Sequence, residues 1–135
     1  MRKVLTLLLF GLVAVVAYGQ SPDKDAQKRE KEFYDKIQEL VDRQTTVLDL
    51  APWQVFKLDS TLTHDYTALT ARRDELMKNK VTNMDIYQKA ADECEESIYN
   101  SYKKFLNPEQ WEKYLKRGAA KEKKARDKRM AKFQN

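Results

Sequence analysis

The stretches LAPWQ (residues 50–54) and LNPEQ (residues 106–110) have the same design, and together they decide how this chain folds. Each places a leucine two residues before a proline and a glutamine two residues after it. Proline breaks a helix that precedes it but fits the first turn of a new helix. A glutamine at the third helical position can accept a hydrogen bond from the backbone N–H of the cap residue. Both stretches therefore predict the end of one helix and the immediate start of another.

The two predicted helix starts differ at the cap residue, which is Ala51 in the first and Asn107 in the second. The Asn107 side chain can accept a hydrogen bond from the first turn, whereas alanine has no acceptor. Glu109 adds a negative charge at the positive end of the helix dipole. Because an alanine cap costs about 1 kcal/mol relative to a capping side chain, the start at Pro52 should be the weaker one.

Helices are the expected structure throughout the chain, because three Gly and three Pro in 135 residues are too few for the turns of an all-β fold. Apolar periodicity predicts one helix from about residue 26 to 47, a second from 52 to 79, and a third after a cap formed by Thr82 and Asp85. A fourth helix starts at Pro108, so the fold class is all-α. The predicted core stripes are Phe33, Ile37, Leu40, Gln44 and Val47 in the first helix, Val55, Leu58, Leu62, Tyr66, Leu69 and Leu76 in the second, and Met84, Tyr87, Ala91, Cys94, Ile98, Tyr102 and Phe105 in the third.

A second face of the helix at 52–79 is uncharged but not strongly apolar. It consists of Phe56, Ser60, Thr63, Thr67 and Thr70. Small hydroxyl residues at helical spacing favour a close crossing with another helix. The alternative is a contact surface for a partner.

Residues 1–19 have the order of an export signal. Arg2 and Lys3 provide the positive start, residues 4–16 are apolar and uncharged, and Ala17 and Gly19 are the small residues that a signal peptidase needs. The apolar stretch is shorter than the roughly 20 residues of a spanning helix, so we favour a cleaved signal over an uncleaved anchor. The chain is then divided into a signal peptide (1–19), a flexible linker (20–26), a helical domain (27–117) and a basic helical or frayed tail (118–135), and it functions in the periplasm.

Charge is concentrated at the C-terminal end, where residues 116–135 carry nine Lys or Arg against two acidic residues. Residues 20–115 have a net charge of −4. Export argues against a nucleic-acid partner and leaves other proteins, weak contact with a membrane surface, or the acidic body of the same chain. The candidate partner-binding cations of the tail are Lys121, Lys123, Lys124, Arg126, Lys128 and Arg129.

The chain offers little for catalysis or metal binding, and we expect no enzyme, no cofactor and no metal site. There is no glycine-rich phosphate loop or nucleophile elbow. His64 is the single histidine, and on a helix it should point about 100° away from its neighbour Asp65. The acidic run DECEE at 92–96 should form a solvated face. The lone Cys94 fits a small core residue, with an intermolecular disulfide as the alternative.

The two proline stretches resemble the paired L-T-x-x-Q motifs of the Spy/CpxP family of small periplasmic helical proteins. Both copies depart from the motif at the threonine, which is Ala51 in one and Asn107 in the other. The resemblance extends to the export signal, the small size and the basic C-terminal end. The residues that carry it are Leu50, Pro52 and Gln54 in the first copy, and Leu106, Asn107, Pro108 and Gln110 in the second.

This resemblance implies a bent antiparallel hairpin of four helices with a basic extension, which pairs into a homodimer. It implies an ATP-independent holding chaperone that binds unfolding or misfolded exported proteins. Some relatives instead bind the periplasmic domain of a sensor kinase, so an adaptor in envelope-stress regulation is the alternative. Others bind metal, for which this chain has no second histidine.

Overall fold

The computed structural model describes residues 21–134, and nearly all of them are helical. No strand occurs in that range. The all-α prediction with four helices and a basic extension is confirmed, and a π turn divides the fourth helix into two parts. In chain order the elements are α1 (Ser21–Leu48), α2 (Pro52–Lys78), α3 (Met84–Phe105), α4 (Pro108–Tyr114), the π turn (Leu115–Ala119) and α5 (Ala120–Lys132).

The chain separates into two compact units, one that ends at Lys36 and one that begins at Ile37. In the described residues, the first unit is the N-terminal part of α1, which is almost entirely exposed. The second unit contains the rest of α1 and every other helix. The proline motifs and the basic tail therefore belong to one unit, and the tail is not a separate domain.

Helices α2 and α4 begin at the two predicted prolines. At the start of α4 the capping box is complete: Gln110 N donates to the Asn107 side chain at 2.8 Å, and Asn107 N donates to Gln110 Oε1 at 3.0 Å. At the start of α2 only the second half exists, because Ala51 N donates to Gln54 Oε1 at 2.8 Å and alanine can accept nothing in return. The local asymmetry that the sequence predicts is therefore present.

A residue with a left-handed backbone follows each of the helices α1 and α2, Asp49 at φ 52° and Lys80 at φ 57°. Beyond each, an N–H reaches back five residues: Leu50 N donates to Thr45 O at 3.1 Å, and Val81 N donates to the carbonyl of the last α2 turn at 3.0 Å. This is the bond of a Schellman motif, which usually has glycine at the left-handed position. Neither position carries glycine, so the sequence predicted where the two helices end, to within one residue, but not the left-handed residue after each.

Helices α2 and α3 run antiparallel and form the core of the second unit. Gln54 at the start of α2 bonds to the carbonyl of Phe105 at the end of α3, and Tyr66 Oη donates to Glu95 Oε1 at 3.1 Å midway along the pair. The buried apolar residues of these helices are Leu58, Leu62, Leu69 and Leu76 in α2, and Ile98, Tyr102 and Phe105 in α3. All seven belong to the predicted stripes.

Aromatic rings close α4 against α3. Tyr102 and Tyr114 are stacked with their centroids 4.3 Å apart, and Tyr99 meets Trp111 edge to face at 5.1 Å. Burial raises the pKa of Tyr114 to about 12. These contacts hold the seven-residue α4, which is too short to be stable by itself.

The predicted linker is wrong for residues 21–26, because α1 begins at Ser21. Residues 20–26 are polar and lack an apolar stripe, which suggested a linker. Residues 21–32 are nevertheless rich in Lys, Glu, Ala and Gln, which lose little side-chain entropy in a helix. The Lys31–Asp35 pair adds an i,i+4 contact at 2.6 Å. Residues 1–20, with the predicted signal and the first linker position, lie outside the described residues.

Two predictions about the start of α3 and one about α1 need correction. The cap of α3 is Asn83 rather than Thr82, and its side chain accepts from Asp85 N at 3.0 Å. Met84, expected in the core, is the first residue of α3 and is 72 % exposed. In α1, Ile37 is buried as predicted, whereas Val41 and Leu48 are buried without having been predicted.

We expect Ala51→Ser to stabilise the protein by about 0.5–1 kcal/mol, because it supplies the missing acceptor at the start of α2. Asn107→Ala should destabilise it by about 1 kcal/mol, because it removes the acceptor at the start of α4. Urea unfolding at an unchanged m value measures both. Equal stability of Ala51→Ser and the parent chain would contradict this account of the first helix start.

Candidate functional site

The two motif glutamines, 56 positions apart, form a pair of reciprocal hydrogen bonds in the interior. Gln54 Nε2 donates to Gln110 Oε1 at 2.7 Å, and Gln110 Nε2 donates to Gln54 Oε1 at 3.0 Å. Their side chains belong to residues only 4 % and 9 % exposed. The motif therefore serves a tertiary contact as well as a local cap.

The remaining donors and acceptors of the pair are also satisfied. Gln54 Nε2 donates to the Phe105 carbonyl at 2.8 Å, and Gln110 Nε2 lies 3.2 Å from the carbonyls of both Leu48 and Asp49. Each Oε1 additionally accepts the backbone N–H of its own cap residue. Because a buried amide without a partner costs about 1–3 kcal/mol, this full pairing makes the two glutamines a structural lock and leaves no group free for chemistry.

Gln54→Ala and Gln110→Ala should each destabilise the protein by about 2–3 kcal/mol, since each leaves buried polar groups without partners. The matched control is Gln38→Ala, because Gln38 bonds to Asp42 on an exposed part of α1. That change should stay within about 0.5 kcal/mol. A double-mutant cycle at 54 and 110 should show coupling above about 1 kcal/mol. Additive losses in this cycle would contradict the reciprocal pair.

The outer side of α2 carries an exposed, uncharged surface that begins at the first proline motif. Trp53 is 56 % and Phe56 is 71 % exposed. We call this surface the α2 face, and it comprises Trp53, Phe56, Ser60, Thr63, Thr67 and Thr70. The predicted helix crossing is wrong in the described chain, because all of these residues are exposed except Thr63, which is half-buried. The alternative, a contact surface, is the one consistent with the exposure.

Trp53 also lines a cleft of about 460 Å³ that adjoins the glutamine pair. Leu106 and Asn107 also line it, so both proline motifs contribute to it. The cleft continues the α2 face towards the start of α4. This places aromatic area, backbone polar groups and an open recess next to one another.

Three of the six candidate cations of the tail form ion pairs within the chain. Lys123 Nζ lies 2.8 Å from Glu96, Arg126 Nε lies 3.0 Å from Glu96, and Arg129 makes two bonds to Asp92 at 2.9 and 2.8 Å. The other three, all exposed and without an ion pair in residues 21–134, are Lys121, Lys124 and Lys128. Of the two predicted forms of the tail, helical or frayed, the structure has the helical form over residues 120–132.

The expectation that DECEE forms a solvated face is wrong for two of its carboxylates. Asp92 is only 2 % exposed, and Glu96 is half-buried under α5. The Arg129 guanidinium beside Asp92 holds the pKa of that carboxyl below its ordinary value. The tail therefore meets the acidic body of its own chain, which was one of the partners that the charge distribution allowed, although nothing local identified Asp92 and Glu96 as the acids involved.

His64 and Asp65 do not point apart as predicted, because His64 Nδ1 lies 2.8 Å from Asp65 Oδ1. The imidazole is long enough to reach back to its neighbour, although its side chain remains 82 % exposed. No three His, Cys, Asp or Glu side chains in residues 21–134 are grouped so that they could hold a metal ion. In the same range, no helix combines the length and apolar character that crossing a membrane requires.

Cys94 is half-buried rather than part of the core. Its thiol donates to the Asp65 carbonyl at 3.5 Å, beside a cleft of about 290 Å³ between α2 and α3. Burial, reinforced by the nearby carboxylates of Glu95 and Asp65, raises the pKa of this thiol to about 11. Since the thiolate is the reactive form, Cys94 should be a poor nucleophile at neutral pH.

The rate of Cys94 alkylation by iodoacetamide should therefore rise about tenfold per pH unit from pH 8 to pH 10, without levelling. An ordinary thiol levels above its pKa of about 8.5, and the urea-unfolded chain is the internal control for that behaviour. The rate is followed by mass spectrometry of the intact protein. Levelling near pH 9 in the folded chain would contradict the raised pKa.

No protein-family model, curated protein or solved structure matches this chain.

Proposed function

We propose that this protein is an ATP-independent periplasmic holding chaperone, which binds unfolding or misfolded exported proteins through the α2 face. The observation that carries the proposal is the exposure of Trp53 and Phe56 at the head of an uncharged, hydroxyl-rich helix surface. An unfolded client exposes both apolar side chains and unpaired backbone groups. Aromatic rings and hydroxyl groups can contact both kinds of group without selecting a client by its charge.

The composition of the α2 face favours weak and exchangeable binding. Only two large apolar side chains lie on it, followed by four small hydroxyl residues, so no single deep contact anchors a client. Tight interfaces, in contrast, concentrate their energy in a few buried aromatic or arginine residues. A client held by such a surface can leave or fold while bound. The homodimer that the family resemblance implies would present two α2 faces to a client. Sedimentation velocity measures whether the protein is a dimer in solution.

The test is suppression of client aggregation, followed by light scattering of a reduced or heated client without ATP. A several-fold molar excess of the chain from residue 20 onward should slow aggregation. Trp53→Ser with Phe56→Ser should remove at least half of the effect, because the aromatic area of the α2 face is lost. Met84→Ser with Ile86→Ser is the matched control, since these residues are 72 % and 39 % exposed and belong to α3 rather than to α2. No suppression, or equal loss in both variants, would contradict the proposal.

A second candidate is an envelope-stress adaptor that binds the periplasmic domain of a sensor kinase. The exposed cations Lys121, Lys124 and Lys128 favour it, because they form a positive edge on α5 that is free to meet an acidic partner. Capture from an envelope extract distinguishes the two functions. One stoichiometric partner, lost at high salt, supports the adaptor, whereas many non-native proteins support the chaperone.

A further inference from the structure

Charge holds α5 on α3 more than apolar packing does. Arg129 bonds twice to Asp92, and Lys123 and Arg126 both bond to Glu96. Arg126 is the one residue of α5 that is buried. Phe133, directly after the helix, is 42 % exposed. The docking of α5 therefore depends on a small set of ion pairs.

The contacts between α5 and α3 also define which kind of helix fits against this part of α3. Residues 123, 126 and 129 follow one another at spacings of three, so their side chains share one side of α5. They meet Glu96 and then Asp92, so α5 runs antiparallel to α3. Lys123 and Arg126 also lie over the Tyr99 ring, 5.7 and 5.5 Å from its centroid. We call Asp92, Glu96 and Tyr99 the acidic face of α3, and its charges and ring suit a basic helix with this spacing.

The connection to α5 allows it to move away. Gly118, in the π turn, has φ +128°, and a Cβ built there would meet nothing within 4 Å. The side chains of Lys123 and Arg129 are 29 % and 39 % exposed, so salt and water weaken their ion pairs. A helix of 13 residues is also marginal without its tertiary contacts. We therefore expect opening of α5 to be a local event that leaves the α2–α3 core intact.

We propose that the acidic face of α3 is an exchangeable docking site for a basic helical segment of another protein, which α5 occupies in the isolated chain. The chain's own tail then acts as an autoinhibitory segment. A tethered segment competes at an effective concentration in the millimolar range, so an outside segment gains access only when α5 is weakened. This proposal does not depend on the α2 face or on the holding function.

The probe is a fluorescent peptide with the sequence of residues 119–134, and fluorescence anisotropy measures its binding to the full chain at low salt. The parent chain should bind it weakly. Lys123→Glu with Arg129→Glu should bind at least tenfold more tightly, because the altered tail is repelled from Glu96 and Asp92. Adding Asp92→Asn and Glu96→Gln to that variant should return binding to the parent level or below.

Lys121→Glu with Lys128→Glu is the matched control, because it changes the net charge equally at exposed lysines that form no ion pair in the described chain. It should bind the peptide as the parent does. If circular dichroism shows that Lys123→Glu with Arg129→Glu is not folded, Lys123→Gln with Arg129→Gln replaces it. This second variant should also bind the peptide more tightly than the parent chain does. Equal peptide binding by the folded variant with altered Lys123 and Arg129 and by the matched control would overturn the proposal.

Discussion

The hydrogen-bonded pair of Gln54 and Gln110 is the constraint on which the rest of the second unit depends. It joins the starts of α2 and α4 to the carbonyl ends of α1 and α3, so that four chain segments meet at one buried point. Every donor and acceptor of the two amides has a partner there. Because an unpaired buried amide is costly, other arrangements of these segments are disfavoured even where they would bury similar apolar area.

The two long helices divide the work of packing and contact between their sides. One side of α2 supplies the leucines of the core, and the other presents Trp53 and Phe56. One side of α3 packs on α2, while Asp92, Glu96 and Tyr99 receive the cations of α5. Apolar burial thus fixes the α2–α3 pair, and electrostatics, which salt can weaken, adds the tail.

The helix starts were predictable because capping is local. Pro52, Asn107 and Pro108 act within one turn of the chain, and the structure has the predicted bonds at these positions. The cap of α3 was placed one residue early, because the spacing from Thr82 to Asp85 resembles a capping box, although asparagine is the better cap residue of the two. The ends of α1 and α2 were predicted to within one residue, but the left-handed residues that follow them, Asp49 and Lys80, were not, since a left-handed residue other than glycine leaves no signal in composition.

The sequence by itself determined that this chain is helical, where α2 and α4 start, and which leucines form the core stripe of α2. Each of these depends on residues within a few positions of one another. Only the tertiary structure decided that the motif glutamines bind each other, that Asp92 is buried beneath Arg129, and that the uncharged side of α2 stays exposed. The physical reason is that burial and long-range pairing depend on which distant segment arrives, and neither periodicity nor capping encodes that partner.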